Sequence, residues 1–146
     1  MNRSTQLREL LDEHRTLTLA VADGDGPWAA DVYYVRVGTA LWFFSKPDAR
    51  HSRAVDLDPR AAGTVHAEAS GWRDIRGVQM EGEVAPVTAG EERDRAVKAY
   101  LAKFPFAKPL LVGELLAKVR FYRFTPARTY WIDNEEGLGG RVEVEP

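Results

Sequence analysis

The segment Phe43-Phe44-Ser45-Lys46-Pro47-Asp48-Ala49-Arg50-His51-Ser52-Arg53 concentrates hydroxyls and four potential cations where an apolar run gives way to a helical one. A helix N-terminus offers N–H groups that lack intrahelical partners, together with the positive end of the helix dipole. An arginine adds paired, directional donors, so a small anion is the natural guest. A phosphate cradle is one reading of these residues. A solvated basic helix face is the other, because charge runs often do no more than keep a surface wet. Residue types and spacing alone leave both open.

The remaining reactive residue types exclude more than they suggest. There is no cysteine, which removes disulfides, thiolate zinc sites and a thiol nucleophile together. The three histidines are scattered rather than set at ligand spacing, so no metal is expected. His14 and His66 read first as packed or surface residues. No nucleophile elbow, P-loop or dinucleotide-binding glycine fingerprint is present.

The elements that must position the cradle follow from periodicity and turn chemistry. Residues 40–45 (ALWFFS) are mostly apolar, which predicts a short strand in a buried sheet. Pro47 suits the first turn of the next helix, and Asp58-Pro59 stops it. Upstream, Leu7, Leu10, Leu11 and His14 recur at helical spacing, so residues 4–14 read as an amphipathic helix capped by Ser4 or Thr5. Residues 16–22 and 28–37 read as strands of a hairpin around the turn Asp23-Gly24-Asp25-Gly26-Pro27.

Downstream, residues 62–67 and 75–87 are extended, with Gly77 and Gly82 as bulge or bend positions that suit a curved sheet. Thr88 is the expected cap of a helix over residues 89–104, whose stripe is Ala96, Val97, Tyr100, Leu101 and Phe104 and which Pro105 ends. The leucine-rich piece over residues 110–116 is ambiguous, and residues 119–124 and 129–133 read as the final strands. Short strands with helices at their ends predict an α+β fold built on a small antiparallel β-barrel, in one domain spanning residues 1–146.

Composition bounds the partners. The chain has 146 residues, 45% of them hydrophobic, and 20 Lys and Arg against 22 Asp and Glu, for a net charge of -2. That balance gives little pull toward a polyanion, so nucleic acid is not the expected partner. No apolar run is long enough to span a bilayer, and the charged start MNRSTQLRELLDEHR does not fit a secretory signal. The expected setting is cytoplasmic, away from any membrane.

In order and spacing, these blocks resemble the FMN-binding split-barrel family related to pyridoxamine 5'-phosphate oxidase, over roughly residues 16–141. In that family an aromatic strand runs into a Thr or Ser, and an Arg-Lys pair for the FMN phosphate follows five residues later. Here Ser45 ends the strand and Arg50-His51 stand at the pair. A second block, Trp72-Arg73-Asp74-Ile75-Arg76-Gly77-Val78-Gln79-Met80-Glu81-Gly82-Glu83, is similar to the family's Arg-Gln-Val-Arg-hydrophobic-Glu-Gly strand. The Asp133-Asn134 and Gly137-to-Arg141 features extend the likeness.

The resemblance implies an antiparallel split barrel with flanking helices, and a homodimer that builds its flavin sites from both subunits. It implies FMN as cofactor and a small-molecule substrate or electron donor. Arg50 and His51 would grip the phosphate, helped by Ser45, Lys46 and Ser52. The flavin edge would lie against Asp31, Val32, Tyr33 and Tyr34, although these also read as ordinary strand positions. Gln79 would substitute for a flavin contact that Gly77 cannot make, and Trp72 or Trp131 would cover the ring unless they are core. The oxidase's Arg-x-Val-Leu-Leu-Lys strand is replaced by Ala30-Asp31-Val32-Tyr33-Tyr34-Val35, and its Arg-Pro-x-x-Ser stretch is absent. Oxidation of pyridoxamine phosphate is therefore not expected, and the pattern is closer to a short branch of the family. A non-catalytic flavin or haem binder and a deazaflavin-dependent reductase remain the alternatives.

Overall fold

Along residues 40–45 the side chains alternate between two separate cores: Leu41 and Phe43 enter one, Ala40 and Trp42 the other. Both faces of this strand are covered, which is why its sequence is apolar throughout rather than alternating. In the computed structural model, which describes residues 2–111 and 117–145, this strand is β4 (Ala40–Ser45). It belongs to a sheet built with α1 (Arg3–Glu13), β1 (Thr16–Asp23), β2 (Gly26–Tyr33), β3 (Val35–Val37), α2 (Arg50–Leu57), β5 (Arg60–His66), β6 (Arg76–Pro86), α3 (Glu91–Lys103), β7 (Arg120–Asp133) and β8 (Arg141–Glu143).

All pairings are antiparallel, and the strand order is β2-β1-β5-β6-β7-β4-β3, with β8 added to β7. The two ends of this path, β2 and β3, are consecutive in the chain and separated only by Tyr34. The sheet therefore curls until its ends become one segment, giving the antiparallel α+β barrel that the sequence pattern predicts, in the split form that the resemblance implies. Tyr34 is fully buried, and its hydroxyl donates to the Leu11 carbonyl at 2.5 Å, tying the junction to α1.

One core fills the barrel, where Leu17, Leu19, Val65, Met80, Tyr122 and Phe124 meet Leu7, Leu10 and Leu11 from α1. The other lies outside, where Ala96 and Tyr100 of α3 and Phe104 just past its end cover Trp42 and Phe121. Curvature needs close backbone approach at one glycine in particular. A Cβ on Gly82 would strike the Thr125 carbonyl oxygen and come within 2.8 Å of the Pro126 Cα. The β6–β7 register shifts at this point, so the bulge expected at Gly82 is present. At Gly77 the register is unbroken, and the glycine instead makes room for the backbone of Val65 and His66.

Several expectations need correction. The α1 cap is the Asn2 side chain, which accepts from the Thr5 N–H, rather than Ser4 or Thr5. The helix expected at Pro47 begins at Arg50, because residues 47–49 form a turn closed by the Ala49 N–H to the Lys46 carbonyl. Gly90 at φ +117°, not Thr88, precedes α3, and Glu91, Glu92 and Asp94 stand in the first turn near its positive end. Strands expected at residues 119–124 and 129–133 are one strand, β7, because Pro126 sits at the bulge and does not break pairing. β8 was not anticipated, since all three of its residues are exposed and carry no alternation. Within the ambiguous leucine-rich piece, residues 112–116 lie outside the described residues.

Lys103 closes the gap between α3 and α1. Its Nζ donates to the His14 carbonyl at 2.6 Å and lies 4.1 Å from the centroid of the Tyr34 ring. Burial pulls this ammonium down to about 8 from an ordinary value of 10.5, against the opposing pull of Asp12. Between those two pH values the unfolded chain keeps a proton that the folded chain has released, so stability rises with pH across the window. The phenols of Tyr34 and Tyr100 are pushed up by burial, Tyr100 to about 12, and act in the opposite direction above pH 10. Relative to Lys103→Met, wild type is expected to gain about 1 kcal/mol of stability from pH 8 to pH 10, a figure discounted for the solvent that reaches a half-buried ammonium. Urea unfolding at several pH values measures it, and a difference that stays flat refutes this account of Lys103.

Candidate functional site

The end of β4 delivers Ser45, the turn at residues 46–49 reverses the chain, and α2 starts at Arg50. The residue before it, Ala49, has extended backbone angles and no side chain able to cap. The first closed helical bond runs from the Arg53 N–H to the Ala49 carbonyl at 3.0 Å. Among the described residues nothing accepts from the N–H groups of Arg50, His51 or Ser52. Ser52 is 1% exposed, and its Oγ has no hydrogen-bond partner. A buried hydroxyl left in this state ordinarily costs about 1–3 kcal/mol, and Trp42 Nε1, Tyr122 Oη, Thr129 Oγ1 and Trp131 Nε1 share it elsewhere in the interior, so what sets Ser52 apart is its place beside the unpaired N–H groups of the α2 start.

Two pairs hold the side chains. His51 Nε2 and Ser45 Oγ are 2.6 Å apart, which joins the helix start to the strand end. Burial holds the His51 imidazole below its usual range, so it is neutral at pH 7. Arg50 reaches across to the β1–β2 turn, where Nε donates to Asp23 Oδ2 at 3.0 Å and Nη2 to Asp23 Oδ1 at 3.2 Å. The Arg50 guanidinium also lies 4.4 Å from the centroid of the Trp28 ring on β2. Asp23 in turn accepts from the Asp25 N–H at 2.9 Å. The Arg50 guanidinium, and next the Asp25 N–H, hold its carboxyl below the usual carboxylate range.

Lys46 and Arg53 are exposed. Arg53 borders a depression of about 460 Å³ shared with Asp23, Asp25 and Asp56, whose carboxylates oppose an anion on that side. A wider cleft of about 750 Å³ lies elsewhere, lined from β1, β5, β6 and β7, and includes none of the expected cofactor-binding residues.

β2 hydrogen-bonds to β1 alone among the described strands, so its other edge carries free backbone donors and acceptors. On this strand Asp31 is exposed and accepts from Thr18 Oγ1 at 2.5 Å, while Val32 is buried in the barrel core. Tyr33 is half exposed and clusters with Phe104 at 5.3 Å and Phe106 at 5.9 Å between ring centroids. The fold thus gathers Ser45, Lys46, Arg50, His51 and Ser52 at one place and sets β2 beside them through Trp28.

Two expected residues are not brought there within the chain. Gln79 is exposed on β6, opposite Thr64 and Tyr130, and in the sheet order β1 and β5 separate that strand from β2. Trp131 is 2% exposed and packs in the barrel core, so it is a core residue. Trp72 is half exposed in a short turn of 3₁₀ helix, with the Arg73 guanidinium 5.0 Å from its ring. Sequence reasoning missed Asp23 and Trp28 as partners of Arg50. The only signal was an acidic hairpin turn followed by an exposed aromatic, and nothing local ties that turn to a residue 27 positions away.

Comparisons with known proteins agree with this architecture. A family model of pyridoxamine 5'-phosphate oxidase matches residues 4–132. The UPF0306 protein YhbP of Salmonella paratyphi A is 31% identical over 144 residues, covering 97% of this chain and 92% of that protein. A haem-binding protein from Mycobacterium smegmatis superposes with a TM-score of 0.77 at 22% identity, over 99% of this chain and 59% of that one. An FAD-binding protein from Mesorhizobium loti superposes at 0.69 with 20% identity, over 99% of this chain and 96% of the other.

The orphaned Ser52 hydroxyl makes a direct prediction. Ser52→Ala should leave the ligand-free protein as stable as wild type or up to about 1 kcal/mol more stable, because it removes a buried unsatisfied group. The same variant should gain less stability than wild type from added inorganic phosphate. Urea denaturation with and without phosphate tests both parts, and a strongly destabilised ligand-free variant would show that Ser52 has a partner within the fold.

Proposed function

Because the chain belongs to the pyridoxamine 5'-phosphate oxidase family, we propose that it is an FMN-binding oxidoreductase whose phosphate grip is the start of α2. The observation that carries this reading is the buried Ser52 hydroxyl without a partner, beside three helix N–H groups that also lack one. A phosphoryl group supplies acceptor oxygens to all four at once. The donor set fits: Arg50 keeps part of its guanidinium unused, Lys46 is exposed on the turn, and Ser45 and His51 stand together at the strand end.

In this reading Arg50, His51, Ser45, Lys46 and Ser52 hold the phosphate. The free edge of β2, around Asp31, Val32 and Tyr33, pairs with the polar rim of the ring. When bound, FMN would supply hydride and single-electron transfer, and the protein would supply position and a site closed to water. A small-molecule substrate or reduced nicotinamide would be the electron partner. A second protomer would contribute residues exposed here, such as Gln79 and Trp72, so the assembly is proposed as a homodimer. A deazaflavin coenzyme would use the same phosphate grip.

One observation favours a second reading, haem binding without catalysis. His66 is exposed at the end of β5 and lines a cleft of about 210 Å³ with Ile75, Val78 and Ile132, a setting in which an imidazole can serve as an axial ligand. Bound haem would show a sharp, shifted Soret band that His66→Ala returns toward that of free haem, whereas FMN binding would be unaffected by that substitution.

Arg50→Ala is expected to weaken FMN binding by more than about tenfold, since a charge-assisted hydrogen bond contributes roughly 1.5–3 kcal/mol. His51 adds a pH signature. The free imidazole is neutral at pH 7, and a phosphate dianion beside it raises its pKa, so binding takes up a fraction of a proton. Titration calorimetry in two buffers of different ionisation enthalpy should record that uptake, and His51→Gln should abolish it. The whole reading is tested by flavin fluorescence on titration with the full chain, followed by turnover of reduced nicotinamide. Emission that stays unquenched at all protein concentrations would remove it.

A further inference from the structure

Arg50 is constrained on two sides before any ligand arrives. Asp23 takes one donor from Nε and one from Nη2, the fork along the side of the guanidinium, and the Trp28 ring supports its face at 4.4 Å. A guanidinium has five N–H donors, so three remain: the second on Nη2 and both on Nη1. Two of these, one on Nη2 and one on Nη1, form the end edge of the group, while the other Nη1 hydrogen points back beside Cδ, and among the described residues nothing else accepts from any of them. The end edge therefore stays free for a second bidentate acceptor while the side edge is filled.

From this geometry we infer that Asp23 is a positioning residue that fixes Arg50 through its side edge and thereby presents the end edge to a phosphoryl group. The inference rests on the phosphate-binding reading of the α2 start. Asp23 is itself secured, because the Asp25 N–H donates to the same Oδ1 that receives Nη2. The carboxylate brings a negative charge close to an incoming anion, and Asp25 adds another. Two things outweigh that repulsion. The charge on Asp23 is already offset by Arg50, and the long Arg50 side chain has lost its rotamer freedom on folding rather than on binding. The hairpin turn, remote in sequence, thus becomes part of the grip without touching the ligand.

The test compares FMN with riboflavin, which lacks the phosphate, by fluorescence quenching on the full chain. Asp23→Asn should weaken FMN by about tenfold, the lower end of what losing an orienting outer partner costs at metal sites, and leave riboflavin unchanged. In an Arg50→Ala background the same substitution should change neither affinity, since the two residues act as one unit. Asp23→Glu, which keeps the charge but displaces the fork, should show an intermediate loss for FMN only, and it carries the test alone if Asp23→Asn does not fold. FMN bound equally well or more tightly by Asp23→Asn would make Asp23 a competitor and overturn the inference. An equal loss for riboflavin would do the same by assigning Asp23 a purely structural role. If wild type itself does not distinguish FMN from riboflavin, the underlying phosphate reading fails first, and that result is separate from either outcome at Asp23.

Discussion

Tyr34 is the point where the two outermost strands of one sheet become a single stretch of chain, and everything else in the fold is arranged around that closure. A curled sheet with free ends would leave β2 and β3 to find their places independently. Here one residue joins them, and it is anchored by a buried hydroxyl on the Leu11 carbonyl and by its N–H on the Arg15 carbonyl. The ring is then overlaid by the Lys103 ammonium from α3. Helix α1, both ends of the sheet and the outer helix therefore meet at one side chain. With the closure set, the turn of the first hairpin and the start of α2 are brought together, which is what allows Asp23 and Arg50 to pair across a long stretch of sequence.

The candidate site is electrostatically restrained rather than strongly basic. Arg50 is balanced by Asp23, the His51 imidazole is kept neutral by burial, and the acidic side chains of Asp25 and Asp56 border the adjoining depression. Directional hydrogen bonding, not net charge, must then account for any grip on an anion. That places the burden on donors fixed in space: helix N–H groups, a buried hydroxyl and an arginine whose direction is set before binding. It also distinguishes this chain from relatives with a lysine after the arginine, where a permanent charge replaces a titrating ring.

Much of the fold was legible because local and global signals agreed. Residues 40–45 read as a strand in a buried sheet because the run is short and mostly apolar, with Gly38-Thr39 before it and Lys46-Pro47 after it. Gly82 announced a bulge because only a residue without Cβ tolerates the Thr125–Pro126 backbone so close. The failures were equally physical. Pro47 is compatible with a helix start, but the chain needs three more residues to turn out of β4, so the helix waits for Arg50. The single long β7 looked like two strands because a proline at a bulge resembles a break. In the site, the hydroxyls and cations that cluster in sequence were visible, whereas Asp23 and Trp28 were not. Their relation to Arg50 exists only after the barrel closes.

The unpaired edge of β2 has a bearing on how these molecules treat one another at high concentration. Backbone groups left unmatched along a strand will accept any extended peptide, and Trp28 and Tyr33, each about half exposed, make that edge sticky as well. Two residues limit the hazard from within: Pro27 withholds a donor near the strand's beginning, and Asp31 sets a charge where a neighbour's side chain would have to lie. Strand addition along β2 is therefore the route by which crowded molecules would associate, and a flat ring seated there would act as a stopper against it.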